Sequence, residues 1–337
     1  MQSSAKRERA KKTFCAFSVI AKELAQVKEL IEREMSQCGQ PVRGLVGRVA
    51  FGRGKMLRPG LVLLSGGAFG KITQEHIREA AIVEMIHNAT LLHDDVVDGG
   101  MSRRGFPTLN ALEGNESAVL VGDFILSRVF QLCMGLGSRA AGMIASATER
   151  TCVGELRQIL QRGNSALSEE EYIGIIAEKT AAFFSLSCAL GATQSGAGAR
   201  QVRALEEYGR CTGIAFQITD DLLDLAGDQQ SIGKGVGNDL DRDKLTLPVI
   251  HLLDAADEKQ KEEAMKVLFE WRKQTAAAAP GRAKILAKLR GNGCLAYAKR
   301  RAEEFVEKAI GEIEGLPDSE YKKTLIETAG FIVDRTA

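Results

Sequence analysis

Apolar residues recur at intervals of three and four along most of this chain, which is the spacing of α-helices that bury one face or more. The clearest case is the segment 74–98, where Ile77, Ala81, Met85 and Leu92 fall on neighbouring helical rows. Further helices are predicted over 115–137, 139–162, 168–197, 200–228, 241–256, 293–314 and 317–334. No alternation of apolar and polar residues is long enough to build a sheet. The pattern predicts an all-α fold, a single large helical bundle.

Local signals mark where helices begin and where the chain is expected to be irregular. Ser168 precedes three glutamates, as at a helix N-terminus, where a serine oxygen caps the first N–H groups and acidic residues favour the helix dipole. The basic segment 1–12 is expected to be a disordered terminus, and residues 271–292 a connection between peripheral helices. No break in composition divides the rest, so residues 13–337 are expected to form one domain.

Composition narrows the classes of protein to which the chain can belong. With 45 basic and 44 acidic residues the net charge is +1, which excludes a generally basic nucleic-acid binder. Apolar residues make up 45% of the chain, enough to bury a large core. No membrane span is expected, because no apolar run approaches roughly 18 residues and there is no signal-peptide core. The seven cysteines contain no C-x-x-C pair and are expected to be buried thiols in a reducing cytoplasm.

The motif D-D-x-x-D occurs twice, beginning at Asp94 and at Asp220. Either motif alone could lie on a solvated helix face, but each follows a strongly apolar helix. The first and fifth residues of each motif lie on the same face of a helix, so Asp98 lies beside Asp94 and Asp224 beside Asp220. Such carboxylates repel one another unless a cation lies between them, and oxygen ligands without histidine or cysteine suit Mg²⁺. The pair of motifs predicts two carboxylate walls around a diphosphate and its magnesium ions.

Basic residues that could bind phosphate oxygens accompany these carboxylates. Each lies beside a glycine break or a helix end, and the set is Lys55 with Arg58, Arg103 with Arg104, Lys179, Lys234 and Lys244. Any one of them is more often a solvated surface base. Together they favour a protein that binds two anionic substrates.

Several competing kinds of site are excluded by the sequence. The motifs G-x-x-x-x-G-K-[ST], G-x-G-x-x-G, G-x-S-x-G and H-E-x-x-H do not occur. The segment 239–243 imitates a calcium loop, but Lys244 stands where that loop needs glycine and Ile250 where it needs glutamate. Phosphate-loop, dinucleotide, serine-hydrolase, zinc-protease and calcium-loop chemistry are therefore not expected.

With these residues in view, the sequence resembles the trans-isoprenyl diphosphate synthases, and within them the long-chain, octaprenyl-type enzymes. The resemblance runs from about residue 44 to 250 and rests on GKMLRP, IHNATLLHDDVVD with RRGFPT, GDFILSRVF, Gly154-Glu155, Lys179-Thr180, FQITDDLLD and GKGVGNDLDRDKLTLP. It implies a helical fold around a central active-site cavity, a homodimer and a requirement for Mg²⁺, with three ions when substrate is bound. The implied substrates are isopentenyl diphosphate and an allylic diphosphate, either farnesyl or geranylgeranyl diphosphate.

The resemblance also assigns roles to positions of this sequence. The implied magnesium ligands are Asp94, Asp98 and Asp220, supported by Asp95, Asp221 and Asp224. The implied isopentenyl diphosphate site consists of Lys55, Arg58, His87 and Arg104. The implied contacts to the allylic diphosphate are Arg103, Lys179, Lys234 and Lys244. Thr180 and Gln217 are expected to direct oxygen dipoles at the allylic cation.

The chain departs from the family pattern at two positions. Met56 stands where an arginine is common, which leaves the pair Lys55 and Arg58 intact. Asp243 precedes Lys244 where glycine is usual. This second departure leaves the placement of Lys244 open.

The resemblance implies that the growing product runs along the helix that precedes Asp94. The residues expected to line its tunnel are Ala89 and Thr90, followed by Ile86 one turn earlier, with Phe130 as the candidate floor. Because Ala89 and Thr90 are small, the tunnel is expected to stay open beyond the first turn. The expected product is a long all-trans polyprenyl diphosphate, a precursor of a quinone side chain, which could be released to the membrane.

Four alternatives to a long-chain synthase are considered. A short-chain farnesyl or geranylgeranyl diphosphate synthase and one subunit of a heteromeric synthase share the same motifs. A terpene cyclase or squalene-type synthase is disfavoured, because terpene cyclases usually carry Asn and Ser in the second metal motif, which is all aspartate here. A purely structural helical protein does not account for two acidic clusters after apolar helices.

Overall fold

The structure is a computed structural model, and it describes residues 17–49, 54–103, 105–226, 237–272 and 279–334. Three sequence predictions lie outside the described residues, those for segment 1–12, Arg104 and Lys234. The described part is helical almost throughout, so the prediction of an all-α fold is confirmed.

Helices follow one another in chain order after a 3₁₀ turn at Ser18–Ile20. The first are α1 (Ala21–Met35), α2 (Val42–Val46), α3 (Leu57–Gly67), α4 (Gln74–Val97), α5 (Leu109–Cys133) and α6 (Ser138–Leu160). The others are α7 (Glu169–Ile176), α8 (Ala182–Gln194), α9 (Ala199–Ala226), α10 (Asn238–Asp241), α11 (Leu247–Asp254), α12 (Glu258–Arg272), α13 (Ala279–Gly291), α14 (Cys294–Glu312) and α15 (Glu320–Val333). A π-helical turn, Ala177–Ala181, joins α7 to α8. Two antiparallel strands, β1 (Ser102–Arg103) and β2 (Phe106–Pro107), form a small hairpin.

The chain folds into two compact units. The first comprises Met1–Thr148, Phe183–Arg210 and Ala309–Phe331. The second comprises Glu149–Ala182, Cys211–Lys308 and Ile332–Ala337. The expectation that residues 13–337 form a single domain stays a prediction.

Helix α4 is the centre of the first unit. Every residue from Glu79 to Ile86 is buried, so the helix is covered on all sides rather than on one face. It packs against α1, α3 and α5, all within this unit. A capping box between Thr73 and His76 begins the helix. The predicted segment 74–98 and the observed helix agree to one residue, because a long, strongly apolar stretch with a cap defines its own ends.

The second unit has a core of its own, formed by residues of α7 and of α9 to α14. Ser168 caps α7: its hydroxyl oxygen accepts from the Glu171 N–H at 3.2 Å, and the Glu171 carboxylate accepts from the Ser168 N–H at 3.0 Å. The helix start predicted at Ser168 is therefore confirmed.

Two predicted segments differ from the structure. Residues 271–292 were expected to be a connection, but 279–291 form α13, with Pro280 in its first turn, where a missing N–H is tolerated. The helix predicted over 241–256 begins only at Leu247, after Thr246 in an extended backbone conformation and with a proline in its first turn. Backbone conformation just before that start, rather than apolar spacing, sets this boundary.

The stretch predicted as one helix over 168–197 contains the π-helical turn. From Glu169 to Gln194 it is long and apolar enough to cross a membrane by length and composition alone. Within its most apolar window 72% is buried inside the protein, as is usual for a core helix. It is the one such stretch among the residues that the structure describes.

Glu79 is an acidic residue in the fully buried part of α4. It is 1% exposed, and its Oε2 atom has no hydrogen-bond partner among the described residues. Burial raises the pKa of Glu79 to about 8, and the nearby Glu75 carboxylate adds to the rise. The folded protein therefore keeps a proton that the unfolded chain loses near pH 4.5, so this group makes stability fall as pH rises from about 4.5 to 8.

Replacing the ionisable group, as in Glu79→Gln, should remove this contribution. As pH is raised from about 5 to 8, the melting temperature of the variant should rise relative to that of the wild type, since an amide has no charge to bury. Thermal unfolding followed by circular dichroism measures the difference, with Glu32→Gln on the exposed face of α1 as the control. A difference that is the same at both pH values would contradict the account.

Candidate active site

The first aspartate motif lies at the C-terminal end of α4, within the first unit. Asp95 is buried, and Arg103 donates to both of its oxygens: Nε lies 3.1 Å from Oδ1 and 3.0 Å from Oδ2, and Nη2 lies 2.8 Å from Oδ1. Asp94 and Asp98 are half-exposed and, four residues apart, share one helical face. The motif thus turns one carboxylate inward onto a guanidinium and keeps two partly open to solvent.

A tight reversal after α4 brings Arg103 back to Asp95. Arg103 lies on β1, and Gly105, with a φ of +83°, provides the left-handed turn into β2. Thr108 then caps α5, and its hydroxyl donates to the Gly100 carbonyl at 2.7 Å. The predicted contact of Arg103 with the allylic diphosphate stays a prediction, since its guanidinium is here bound to Asp95.

The second aspartate motif lies near the end of α9, within the second unit. Asp221 is 1% exposed and accepts three side-chain hydrogen bonds. Tyr172 Oη donates to Oδ2 at 2.7 Å, Gln217 Nε2 donates to Oδ1 at 2.8 Å, and Lys244 Nζ donates to Oδ1 at 3.1 Å. A buried charge with this many donors is fully hydrogen-bonded and paired, as burial requires.

Burial and the neighbouring charges shift the pKa values of Asp221 and Lys244 in opposite directions. Burial raises the pKa of Asp221, and although the Lys244 ammonium opposes the rise, the pKa is still raised to about 6. Burial also disfavours the charged form of Lys244, but the carboxylates of Asp221 and Asp239 outweigh it and raise the pKa of Lys244 above its usual value. Lys244 therefore keeps its proton, and at neutral pH the pair consists of a carboxylate and an ammonium.

The remaining carboxylates of the second motif, Asp220 and Asp224, are half-exposed and one helical turn apart. One Asp224 oxygen, Oδ2, accepts from the backbone N–H of Asp239 at 3.0 Å. Asp239 also lies 3.4 Å from the Lys244 ammonium. These contacts tie the start of α10 to the end of α9.

The structure explains how Asp243 can stand before Lys244, where the family usually has glycine. Its φ is +59°, the left-handed region that glycine adopts freely and that aspartate tolerates better than most residues. The Asp243 carbonyl accepts from the Gly163 N–H at 2.9 Å. The aspartate therefore takes the backbone conformation open to glycine, and Lys244 reaches Asp221.

The two motifs share one arrangement, although each lies in its own unit. The second aspartate of each is buried and paired with a basic residue later in the chain, Asp95 with Arg103 and Asp221 with Lys244. The first and fifth aspartates are half-exposed. The sequence predicted the shared helical face; the internal pairing was not predicted.

Lys179 and Thr180 both lie in the π-helical turn, a local distortion that is frequent at functional sites. The Lys179 ammonium pairs with the carboxylate of Glu155 on α6. The Thr180 hydroxyl donates to Gln217 Oε1 at 2.7 Å. Since Gln217 also donates to Asp221, a chain of hydrogen bonds runs from Thr180 to the second motif.

Three of the residues expected to bind isopentenyl diphosphate are described by the structure, and they lie in the first unit. Lys55 and Arg58 flank the start of α3, where Met56 has a left-handed φ of +52°. Lys55 Nζ lies 4.7 Å from the centre of the Phe331 ring, and Arg58 Cζ lies 4.9 Å from that of Phe184, both within range of a cation–π attraction. His87, two turns before Asp94 on α4, is half-buried.

The residues expected to control product length divide into two groups. Ile86 and Ala89 are buried on α4, and Thr90 is half-buried with its hydroxyl donating to the His87 carbonyl at 2.9 Å. Phe130 on α5 is 68% exposed, so it does not close a cavity inside this chain. Its predicted role as the floor of the tunnel stays a prediction.

The carboxylates of the two aspartate motifs can be compared with the ligands that a metal ion requires. Among the described residues, no three His, Cys, Asp or Glu side chains are arranged to hold a metal by themselves. What each motif offers is a pair of half-exposed carboxylates one turn apart. Such pairs fit Mg²⁺, which commonly takes one or two carboxylates and completes its shell with water and substrate phosphates.

Two residues of this network were missed by sequence reasoning. Glu155 was noted only as part of a family motif, and its charge partner Lys179 lies 24 residues further along. Tyr172 carried no usable signal, because an aromatic residue on the apolar face of a helix is most often plain core. Glu155 became visible only when the packing of α6 against the π-helical turn was known, and Tyr172 only when the packing of α9 against α7 was known.

Comparison with known proteins decides the family. A model of the polyprenyl synthetase family matches residues 41–280, which is more than half of the chain. The chain belongs to the polyprenyl synthetase family. The predictions of the family and of a prenyltransferase are confirmed.

This polyprenyl synthetase has close relatives of known activity. The octaprenyl diphosphate synthase of Haemophilus influenzae is 37% identical over 322 residues, which cover 92% of this chain and 96% of that protein. The octaprenyl diphosphate synthase of Escherichia coli is 35% identical over 316 residues, covering 94% and 96%.

Solved structures agree with this assignment. A decaprenyl diphosphate synthase from Rhodobacter capsulatus superposes with a TM-score of 0.89 at 36% identity, covering 96% of this chain and 99% of that one. A polyprenyl synthase from Caulobacter crescentus, complexed with calcium and isoprenyl diphosphate, has a TM-score of 0.89 at 31% identity, covering 96% and 98%.

Proposed function

We propose that this polyprenyl synthetase joins an allylic diphosphate, with farnesyl or geranylgeranyl diphosphate as primer, to successive isopentenyl diphosphates. The product is a long all-trans polyprenyl diphosphate of octaprenyl type. The observation that carries the proposal is the arrangement common to both aspartate motifs: one buried carboxylate paired with a base, and two half-exposed carboxylates one turn apart. The octaprenyl diphosphate synthases among its relatives support the long product.

Magnesium is the proposed cofactor, with three ions when substrate is bound. When bound, Mg²⁺ acts as a Lewis acid that neutralises charge on the departing pyrophosphate. Asp94, Asp98 and Asp220 would hold it, together with Asp224. Asp95 and Asp221 support them by keeping the two helix ends oriented. The calcium in the Caulobacter crescentus relative, another divalent cation that prefers oxygen ligands, supports a carboxylate site.

The basic residues near the motifs have a defined task in this reaction. Arg103, Lys179 and Lys244 would bind the oxygens of the allylic diphosphate as negative charge builds on the leaving group. Lys244 is suited to it because two carboxylates keep it protonated. Lys234, outside the described residues, belongs to the same proposal.

Carbon–carbon bond formation needs no nucleophile from the protein. The C–O bond to pyrophosphate breaks, the double bond of isopentenyl diphosphate attacks the allylic carbon, and the departed pyrophosphate takes the proton that is lost. Lys55, Arg58 and His87, with Arg104 outside the described residues, would hold isopentenyl diphosphate in position, so much of the acceleration comes from orientation. Thr180 and Gln217 would place oxygen dipoles near the allylic cation.

The enzyme is proposed to work in the cytoplasm, without nucleic acid, and to release its product to the membrane as a precursor of a quinone side chain. The product is much less polar than its substrates, because each condensation adds five carbons to a single diphosphate. The buried character of the apolar stretch from Glu169 to Gln194 supports an enzyme that acts outside the bilayer.

Two alternatives have specific support. A short chain isoprenyl diphosphate synthase from Methanothermobacter thermautotrophicus is 33% identical over 287 residues. The heptaprenyl diphosphate synthase component 2 of Geobacillus stearothermophilus is 32% identical over 321 residues. The first predicts a short product from this chain, and the second predicts no activity without another subunit.

One assay separates all three. The purified chain is given Mg²⁺, radiolabelled isopentenyl diphosphate and farnesyl diphosphate, and the dephosphorylated products are resolved by reverse-phase chromatography. Products near eight isoprene units support the proposal. Products that stop at four units, one condensation beyond the primer, support the short-chain alternative, and the absence of any product from the chain alone supports the heteromeric one.

The metal site predicts the effect of removing one carboxylate. Asp94→Ala or Asp220→Ala should lower turnover by several orders of magnitude with the helical circular dichroism unchanged, because each removes a ligand beside the leaving group. Asp254→Ala, at an exposed aspartate of α11, is the control and should keep wild-type turnover. Wild-type turnover in both test variants would overturn the assignment.

Product length should respond to bulk on α4. A tyrosine at Ala89 lies about 7 Å along the helix from Asp94, little more than one isoprene unit, so Ala89→Tyr should move the main product to the short-chain class. Chromatography of the products measures this, with Ala296→Tyr on the exposed side of α14 as the control. An active Ala89→Tyr enzyme with an unchanged product distribution would show that the tunnel does not follow α4.

A homodimer is proposed from the exposed apolar surface of α5. Val119, Leu120 and Phe130 on this helix, and Met134 directly after it, are all exposed. Large apolar side chains are expensive to leave in water, and a second copy with a two-fold axis could cover them.

Charge placed on that surface should prevent assembly. Light scattering at micromolar concentration should give a dimer for the wild type and a monomer for Leu120→Glu with Phe130→Glu, because carboxylates buried without a partner disfavour association. Val42→Glu, at an exposed apolar residue of α2, should remain dimeric. A monomeric wild type would refute the dimer.

A further inference from the structure

One segment of α6, residues 154–157, contacts the π-helical turn through three successive interactions. Gly154 packs against the backbone of the turn, the Glu155 carboxylate pairs with the Lys179 ammonium, and Arg157 Nη1 lies 2.8 Å from Glu178 Oε2. All of these residues belong to the second unit. We call residues 154–157 the cradle.

Gly154 is the tightest of these contacts. A β-carbon at this position would lie 2.3 Å from the Lys179 backbone nitrogen, 2.8 Å from Lys179 Cα and 2.9 Å from the Glu178 carbonyl carbon. All three atoms are backbone, so no side chain could rotate out of the way. Any larger residue must push the turn by about 1 Å to reach ordinary van der Waals distance.

The turn carries two residues of the proposed allylic site, and it is irregular. A π-helical turn inserts one extra residue into a helix and persists only where its surroundings stabilise it. Thr180 of the turn donates to Gln217, which donates to Asp221. The position of the turn is therefore set by the cradle and by the hydrogen bonds that link Thr180 to the second aspartate motif.

From this geometry we infer that Gly154 is a positioning residue for allylic substrate recognition: its missing side chain seats the π-helical turn so that Lys179 and Thr180 face the allylic diphosphate. The inference rests on the proposed function. Gly154 itself touches no substrate, so its substitution should act through Lys179 and Thr180. Displacing a positioned group by about 1 Å can lower a rate by about 100-fold.

The test compares two glycine-to-alanine substitutions on the same helix. Gly154→Ala introduces the clash, whereas at Gly142 an added β-carbon meets nothing within 4 Å. Gly154→Ala should raise KM for farnesyl diphosphate and lower kcat, together by about 100-fold, while KM for isopentenyl diphosphate stays within about twofold. Gly142→Ala should match the wild type in all three. The split between the two substrates is the signature, because general loosening of the fold would affect both.

A second readout avoids turnover. Calorimetry with farnesyl thiodiphosphate, which binds without ionising readily, should show weaker binding to Gly154→Ala than to Gly142→Ala in the presence of Mg²⁺. Equal affinity and equal kinetics in the two variants would overturn the inference while leaving the proposed function intact. A wild type that neither binds this analogue nor turns over would overturn both.

If Gly154→Ala does not fold, the third contact of the cradle provides the test. Arg157→Met removes the ion pair with Glu178 and should weaken binding of the analogue about threefold, while Arg157→Lys should keep the wild-type affinity. Arg150→Met, at an exposed arginine of the same helix, controls for the lost charge and should have no effect. Equal affinity in Arg157→Met and Arg150→Met would refute positioning by the cradle.

Discussion

The buried second aspartate of each motif is the constraint on which the rest of the site depends. Asp95 and Asp221 lie inside the protein, where an unpaired charge is costly, and Arg103 and Lys244 are held against them. On a helix the next residue is turned by about 100°, so an inward second carboxylate leaves the first and fifth on another face. Loss of the base would leave a buried charge without its partner, which typically costs about 3–5 kcal/mol. The half-exposed carboxylate pairs are thus a consequence of the buried ion pairs.

In the second unit the same constraint reaches beyond the motif. Asp221 accepts from Gln217, Gln217 accepts from Thr180, and Thr180 lies in the π-helical turn that also carries Lys179. A polar network that is fully hydrogen-bonded inside a protein tends to specify one arrangement, because any partly bonded alternative is costly. The side chains proposed to meet the allylic substrate are therefore fixed by contacts that involve no substrate.

Apolar spacing and local caps were sufficient for the long helices. The segment 74–98 corresponds to α4 and the cap at Ser168 begins α7, because both signals lie within a few residues of what they define. The pairing of Asp221 with Lys244 and Tyr172 could not be predicted, since it joins residues 23 and 49 positions apart. The π-helical turn and the left-handed Asp243 were missed for the same reason: packing, not local propensity, selects them. The roles assigned to individual site residues stay predictions.

The different roles of Asp94 and Asp95 can be tested most directly by measuring the Mg²⁺ concentration that ligand binding requires. Binding of farnesyl thiodiphosphate is titrated with Mg²⁺ by calorimetry for the wild type, Asp94→Asn and Asp95→Asn. The account predicts that Asp94→Asn needs about tenfold more Mg²⁺ for half-maximal binding, a loss of one ligand. Asp95→Asn should keep the wild-type requirement but melt at a lower temperature, since it loses the ion pair with Arg103. A magnesium requirement raised equally in both variants would contradict the claim that Asp95 orients the helix end and Asp94 binds the metal.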